Sequence, residues 1–266
     1  MGNSKTGKAP ASYYKSDVSV SQTSNVGFDS TTRAICSGDG ADSSISLSDD
    51  VLSVQPVNDD TTGAFLVKNQ SGSNILAVDT TNSKVLAGSS QISVNTQYAH
   101  FGVASTQGLS PVAGTHYLIP FSNMVYGTAQ VAFGTGTDPL TSYDISANTN
   151  GDDITPMLWY VPDAITVDAI HLFVGGNAAS GDTVNIHLLS FDIDKGAGAG
   201  KGDLSNGVVI AGGADIASLG YANIIYQTTS PSSADVAAGK VILATVESNG
   251  TNSDYAINIT AKYHLQ

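Results

Sequence analysis

His171 and His187 stand in matching Ile-His-Leu contexts, within ITVDAIHLFV and TVNIHLLSF, two stretches that read as neighbouring strands. Residues 175–182 between them read as a hairpin loop. That pairing sets Ile170 near His187 and places the two imidazoles diagonally across the pair. Two such rings could bind a divalent metal, but no third ligand lies nearby in sequence. Histidines on strands are commoner as surface or interface residues, so no metal is assigned. Asp192, Asp194 and Asp203 flank a glycine-rich loop, and their alternation suits a hard cation that seeks oxygen ligands. Gly196 and Ala197, however, stand where a calcium loop needs an acid or amide and then a tight-turn glycine. The loop is read as flexible, and whether the three aspartates bind calcium stays open.

The same loop, GAGAGKGD, is no phosphate cradle: Gly202 follows Lys201 where Ser or Thr is needed, and no βαβ unit surrounds it. Hydrolytic signatures such as G-x-S-x-G or H-E-x-x-H are missing from the sequence. Asp49-Asp50, Asp59-Asp60 and Asp152-Asp153 are adjacent pairs in turn-like contexts, where aspartate serves the backbone rather than acid–base chemistry. Trp159 and Tyr160 could stack sugar rings if exposed; a core tryptophan in a sandwich strand is the default. The chain is therefore expected to be non-enzymatic and to need no cofactor.

The elements that position these residues follow from composition. Charged residues are only 12% of the chain, and of 23 acidic residues Glu247 is the one glutamate. Aspartate favours turns and caps, whereas exposed helix faces rely on Glu, Lys and Arg. No window holds a 3.6-residue apolar period, so the fold class is all-β. A net charge of −13 opposes nucleic-acid phosphates and anionic membranes, both of which need basic residues. No run approaches the ~18 apolar residues of a membrane span. Cys36 is the sole cysteine, which rules out an intrachain disulfide. The N-terminal stretch lacks the apolar core of a secretion signal.

Along the chain, residues 1–44 are polar and weakly patterned, an extended segment expected to order against a partner, with Tyr13, Tyr14 and Phe28 as aromatic anchors. Residues 45–94 hold short i, i+2 apolar pairs: Ile45/Leu47, Leu52/Val54, Phe65/Val67, Leu76/Val78, Val85 and Ile92/Val94. Such short, two-sidedly apolar strands cannot bury themselves alone. They either stack between chains or fold back as a meander. Residues 95–115 read as a Gly/Ser/Thr/Pro connector. Residues 116–266 carry eight or nine strand-like runs with no helix between them, a β-sandwich closed by the alternating strand Tyr255–Tyr263 after an Asn249-Gly250 turn.

Residues 63–88, GAFLVKNQSGSNILAVDTTNSKVLAG, resemble a run that recurs in the shafts of fibre and spike proteins of tailed bacteriophages, just before a globular head. The layout ITVDAIHLFVGG…GDTVNIHLLSFDI is similar to jelly-roll heads of phage virion proteins. The resemblance implies three parts: an attachment segment (1–44), a β-repeat shaft with its connector (45–115) and a jelly-roll-like head (116–266). It implies a homotrimer in the virion, with Phe65, Val67, Leu76, Val78 and Val85 at the oligomer interface. The attachment segment would dock on a capsid or tail protein. A capsid-attached fibre or decoration protein is the first reading. A tail fibre gripping a host-surface glycan is the alternative, ahead of a secreted carbohydrate-binding module or a depolymerase.

Overall fold

The structure, a computed structural model, describes residues 18–22, 28–38, 40–88, 90, 92–103, 112–122, 130–177, 182–196, 198, 200–217, 224–250 and 254–266. Among these the chain is all-β apart from a few short helical turns, as its composition requires. It divides into two compact units, Met1–Val94 and Asn95–Gln266.

The first unit contains two four-stranded antiparallel meanders. One runs β1 (Val18–Val20), β2 (Arg33–Ser37), β3 (Asp42–Leu47) and β4 (Leu52–Val54). The other runs β5 (Phe65–Lys68), β6 (Asn74–Asp79), β7 (Lys84–Ala87) and β8 (Ile92–Ser93). The strands of residues 45–94 thus lie where the apolar pairs put them, folded back within the chain. Residues 1–44 are not uniformly extended. β1 pairs β2 within the chain, and the expected boundary at residue 45 falls inside β3. Val20 and Ile35 stand directly opposite, enough local apolar pairing to form a ladder. Arg33, the only arginine, grips Asp29 through two bonds of 2.7 and 2.8 Å that hold the turn before β2.

The second unit begins earlier than expected. Residues 96–103, read as connector, form β9 (Thr96–Val103), whose Ala99, Phe101 and Val103 alternate into the core. The Gly and Ser of the flanking sequence masked that alternation. β10 (Thr115–Ile119), β11 (Ala132–Thr135), β12 (Trp159–Tyr160), β13 (Ile165–Asn177), β14 (Thr183–Ile193), β15 (Leu204–Ala211), β16 (Ile216–Ala217), β17 (Ile224–Thr229), β18 (Asp235–Val236), β19 (Val241–Ser248) and β20 (Asp254–Leu265) follow. One sheet has the order β17-β13-β20-β9, with β18 also on β13. The other has β11-β10-β19-β14-β15, with β12 on β19 and β16 on β14.

The two sheets share one core. Phe101, Leu172, Val174, Ile257 and Ile259 of the first meet Tyr117, Ile119, Ile186, Leu188, Ile242 and Val246 of the second. The second sheet is buried on its other face as well. There Leu118, Leu189, Phe191 and Leu243 are covered by Val131, Phe133, Tyr143, Ile154 and Met157. Short helices α1 (Ile145–Asn148) and α2 (Gly151–Ile154) and a 3-10 turn at Thr155–Met157 build this third layer. They correct the expectation of no helix between the strands. The Asp144 carboxylate accepts from Ala147 N at 3.0 Å, capping one turn, and Pro156 sits in the first turn of the 3-10 segment, where its missing N–H costs nothing. Such four-residue helices leave no periodic trace in a sequence. Double-sided burial explains why β14 and β19 are buried along almost their whole length, the polar Asn185, His187, Ser190 and Thr245 included.

The loop expected to be a hairpin, residues 175–182, is a crossing between sheets, and so is the connection through the Asn249-Gly250 turn. β13 and β14 lie in different sheets, as do β19 and β20. Glycine, asparagine and aspartate serve either connection, so turn chemistry alone does not select the hairpin. The second crossing is tied by Ser248 Oγ, which shares a 2.7 Å bond with the Tyr255 hydroxyl and accepts from Gly250 N at 3.0 Å.

Candidate functional site

Three places concentrate side chains whose arrangement exceeds what the fold alone requires. The first is the β5–β8 meander. Its register puts Phe65 opposite Val78 and Val78 opposite Val85, and puts Val67 opposite Leu76 and Leu76 opposite Ala87. Ala87 in turn faces Ile92. Phe65, Val67, Leu76, Val78 and Val85 therefore share one face of one sheet, and the structure brings all five together. Leu66, Ile75, Ala77 and Leu86 line the other face. Phe65 is 41% exposed and Val67 40%, yet the first unit buries only Cys36, Ala77 and Asp79 among its described residues. The polar positions of this stretch are turn devices. Asn69 Oδ1 accepts from Ser73 N at 2.9 Å and from Ser71 Oγ at 2.7 Å, and Gly72 supplies the positive φ of 87°. Asp79 accepts from Asn82 N and Nδ2 at 3.0 and 2.8 Å, bonds that hold its carboxyl below the usual carboxylate range. Of the aromatic anchors, Phe28 is exposed at 56%, and Tyr13 and Tyr14 lie outside the described residues.

The second place is the outer face of the β17-β13-β20-β9 sheet. Register aligns Thr228, His171, Thr260 and His100 in one row across all four strands. The row above holds Tyr226, Phe173, Asn258 and Gly102. Tyr226 and Phe173 are 56% and 50% exposed, with ring centroids 5.1 Å apart and planes tilted by 41°. The Tyr226 hydroxyl bonds His171 Nδ1 at 3.0 Å and Thr228 Oγ1 at 2.7 Å, and His171 stacks on the Tyr226 ring. His100 Nδ1 bonds Thr260 Oγ1 at 3.1 Å.

The third place lies beside the segment that follows β11, where Gly136 and Asp138 approach the second sheet. His116 and His187 project from the opposite face of the second sheet, and both are fully buried. His187 does not approach His171, because β13 and β14 belong to different sheets; its neighbour is His116. His116 Nε2 meets the Gly136 carbonyl at 2.9 Å. His116 Nδ1, both nitrogens of His187 and Thr245 Oγ1 have no hydrogen-bond partner among the described residues. Burial pushes the His187 pKa down to about 4, and the neighbouring His116 adds to the shift. Burial also lowers that of His116. Both rings are neutral at pH 7.

The other residues that sequence reasoning raised are kept apart. Asp192 is held by Lys240 Nζ at 2.7 Å and Asn206 Nδ2 at 2.9 Å, which lower its pKa. Asp194 accepts from Gly196 N, and Asp203 accepts from Ile145 N at 2.9 Å, which moors the loop to α1. Among the described residues, no group of three or more His, Cys, Asp or Glu is disposed to hold a metal ion. Asp49, Asp50, Asp59 and Asp60 lie on exposed turns, and Asp152 and Asp153 form the first turn of α2. Trp159 is a core residue, stacked on Phe121 at 5.9 Å and packed against Tyr263 at 4.9 Å. Tyr160 is half exposed but covered by Lys195, whose Nζ lies 5.0 Å from the ring centroid.

Sequence reasoning missed Phe173 and Tyr226, although the alternation Ile170, Leu172, Val174 inward already placed Phe173 beside His171 on the outer face. It also missed His116, whose partner comes from a strand distant in sequence. No described helix is long and apolar enough to cross a membrane. No protein-family model and no curated protein matches the chain.

Proposed function

We propose that the chain is a non-enzymatic structural protein of a virion, a fibre or decoration protein whose first unit assembles copies and whose second unit is a jelly-roll head. The observation that carries this reading is the partly exposed apolar face of the β5–β8 meander, in a unit that buries few apolar side chains among its described residues. Apolar area left in water forgoes the burial that stabilises a fold, and a contiguous exposed apolar face marks a surface that binds a partner. Closed cyclic symmetry covers identical faces with one another, and a trimer does so around a single axis. At ~25 cal/mol per Å² of apolar area removed from water, Phe65, Val67 and Val85 in each copy could together supply several kcal/mol. The resemblance of residues 63–88 to phage shafts points the same way. The head reading is supported by the wiring. Numbered in chain order, the eight longest strands of the second unit give sheets 6-3-8-1 and 2-7-4-5, the order that two interleaved Greek keys produce.

Light scattering of the full chain tests the reading. A trimer that falls apart on Leu76→Asp supports it. A monomeric wild-type chain overturns it.

A second reading, a receptor-binding adhesin such as a tail fibre, is favoured by one observation: the exposed Phe173–Tyr226 ring pair on the head.

A further inference from the structure

We propose that the outer face of the β17-β13-β20-β9 sheet binds a neutral oligosaccharide, with Phe173 and Tyr226 as the stacking platform and the Thr228–His171–Thr260–His100 row as its hydrogen-bonding edge. This names the ligand class for the adhesin role and rests on that second reading.

Three features of the face select the ligand. The first is the ring pair. Phe173 and Tyr226 are direct cross-strand partners, both about half exposed, and the row beyond them is Ile224, Gly175 and Ala256. Gly175 and Ala256 are too short to cover the rings, and Ile224, 76% exposed, continues the apolar face beside Tyr226. Aromatic faces carry negative π density and attract the polarised C–H groups on the flat face of a sugar.

The second feature is the polar row. Histidine and threonine each offer both a donor and an acceptor. The Tyr226–His171–Thr228 network fixes these groups before any ligand arrives, and Asn258 adds an exposed amide beside the rings. A ligand that alternates donors and acceptors, as sugar hydroxyls do, matches such a row. Four adjacent strands span about 14 Å at their usual spacing. A ligand that reaches from Tyr226 to His100 is therefore an oligosaccharide.

The third feature is charge. The chain carries −13, yet neither the ring row nor the polar row contains a carboxylate. The one neighbouring cation is Lys262, one row further on. A single lysine does not suit a nucleic-acid strand, whose phosphates require several. A protein partner would bury a contiguous apolar core. Here the exposed large apolar groups are the two rings with Ile224 at the strand end, and Tyr98 beside Lys262, separated from the ring pair by the hydrogen-bonding row. An uncharged, hydroxyl-rich ligand with an apolar face fits best.

The test uses the full chain in affinity electrophoresis through gels containing dextran, mannan, galactan or soluble chitooligosaccharide, with titration calorimetry for any glycan that retards it. At least one glycan is expected to bind. Tyr226→Ala and Phe173→Ala should each weaken binding about tenfold, some 1.4 kcal/mol, while leaving circular dichroism and solution mass unchanged. Tyr226→Phe should keep part of the affinity, because stacking survives and only the hydroxyl network is lost. Binding should persist in 0.5 M NaCl. Failure of all four glycans to bind overturns the proposal. So does unchanged affinity in both alanine variants, or loss of binding in salt. An oligomer that dissociates on Tyr226→Ala also overturns it, and identifies this face as a contact between copies. The assembly reading fails or stands separately, through the mass of Leu76→Asp, whose single-site glycan affinity should equal that of the wild type.

Discussion

His116 and His187 meet edge to face in the interior of the second unit, ring centroids 5.3 Å apart and planes at 73°. His187 Nε2 lies 3.9 Å from an Asp138 oxygen that is largely exposed to solvent, too long for a hydrogen bond. Two buried, neutral imidazoles side by side make the second unit sensitive to acid.

The sign follows from the direction of the shift. The folded state holds His187 at about 4, whereas the unfolded chain titrates it near 6.5. Below pH 6.5 the unfolded state binds more protons, so stability is fully present above that pH and is lost as pH falls towards 4. The His187 contribution amounts to about 3 kcal/mol. His116 acts in the same direction, and Asp138 moderates both. Glu247 works the other way, because burial and nearby Asp215 raise its pKa. The urea midpoint of the wild type should therefore fall as pH drops from 6.5 to 4. His187→Leu should flatten that slope. Equal slopes for the two proteins would show that His187 is not the acid-sensitive group.

Gly212 lies against the same histidine. A Cβ at this position would sit 2.6 Å from the Ile186 carbonyl oxygen and 2.8 Å from His187 Cα, and its φ of 147° is one that L-residues rarely adopt. Both obstacles are backbone or close to it and cannot step aside. Gly212→Ala should cost roughly 2 kcal/mol or more, read as a lower urea midpoint at unchanged m-value. A neutral substitution would mean that the β15–β16 connection yields more easily than its packing implies.

The third layer can be weighed separately from the sandwich core. Phe133 is fully buried, stacked on Tyr143 at 4.8 Å and edge-on to Phe191 at 5.7 Å. Phe133→Ala should destabilise the second unit by about 3–5 kcal/mol. A loss below 1 kcal/mol would show that the layer covers the sheet without being coupled to it.

Much of the second unit was legible because strands announce themselves by alternation. Thr183–Phe191 and Tyr255–Tyr263 differ from the observed strands by one or two residues at their ends. Pairing was less legible. The Gly/Asn/Asp stretches after Asn177 and Ser248 give the same local signal whether the chain returns to its own sheet or crosses to the other. The apparent His171–His187 neighbourhood was lost with that choice. Tyr226 shows the opposite case: its outward direction follows from alternation with Ile225, but its worth depends on Phe173, its partner across the register. A single strand's sequence does not reveal that partner.

The β5–β8 meander carries apolar residues on both faces, and the assembly reading assigns the contact to one of them. Val67 lies with Phe65, Leu76, Val78 and Val85, whereas Ile75 lies opposite, with Leu66 and Leu86. Val67 and Ile75 are similarly exposed, 40% and 49%, but Ala77 on the Ile75 face is buried, whereas no apolar residue of the Phe65 face is. The seven apolar side chains from Phe65 to Ile92 form the larger continuous surface, and apolar area is what drives association. Val67→Asp should therefore dissociate the oligomer at micromolar concentration. Ile75→Asp should leave its mass unchanged and its thermal midpoint within a few degrees of the wild type. Sedimentation velocity on the two variants separates the cases. Dissociation by Ile75→Asp alone would move the contact to the Leu66/Leu86 face, and dissociation by both would mean that the sheet is covered on each side.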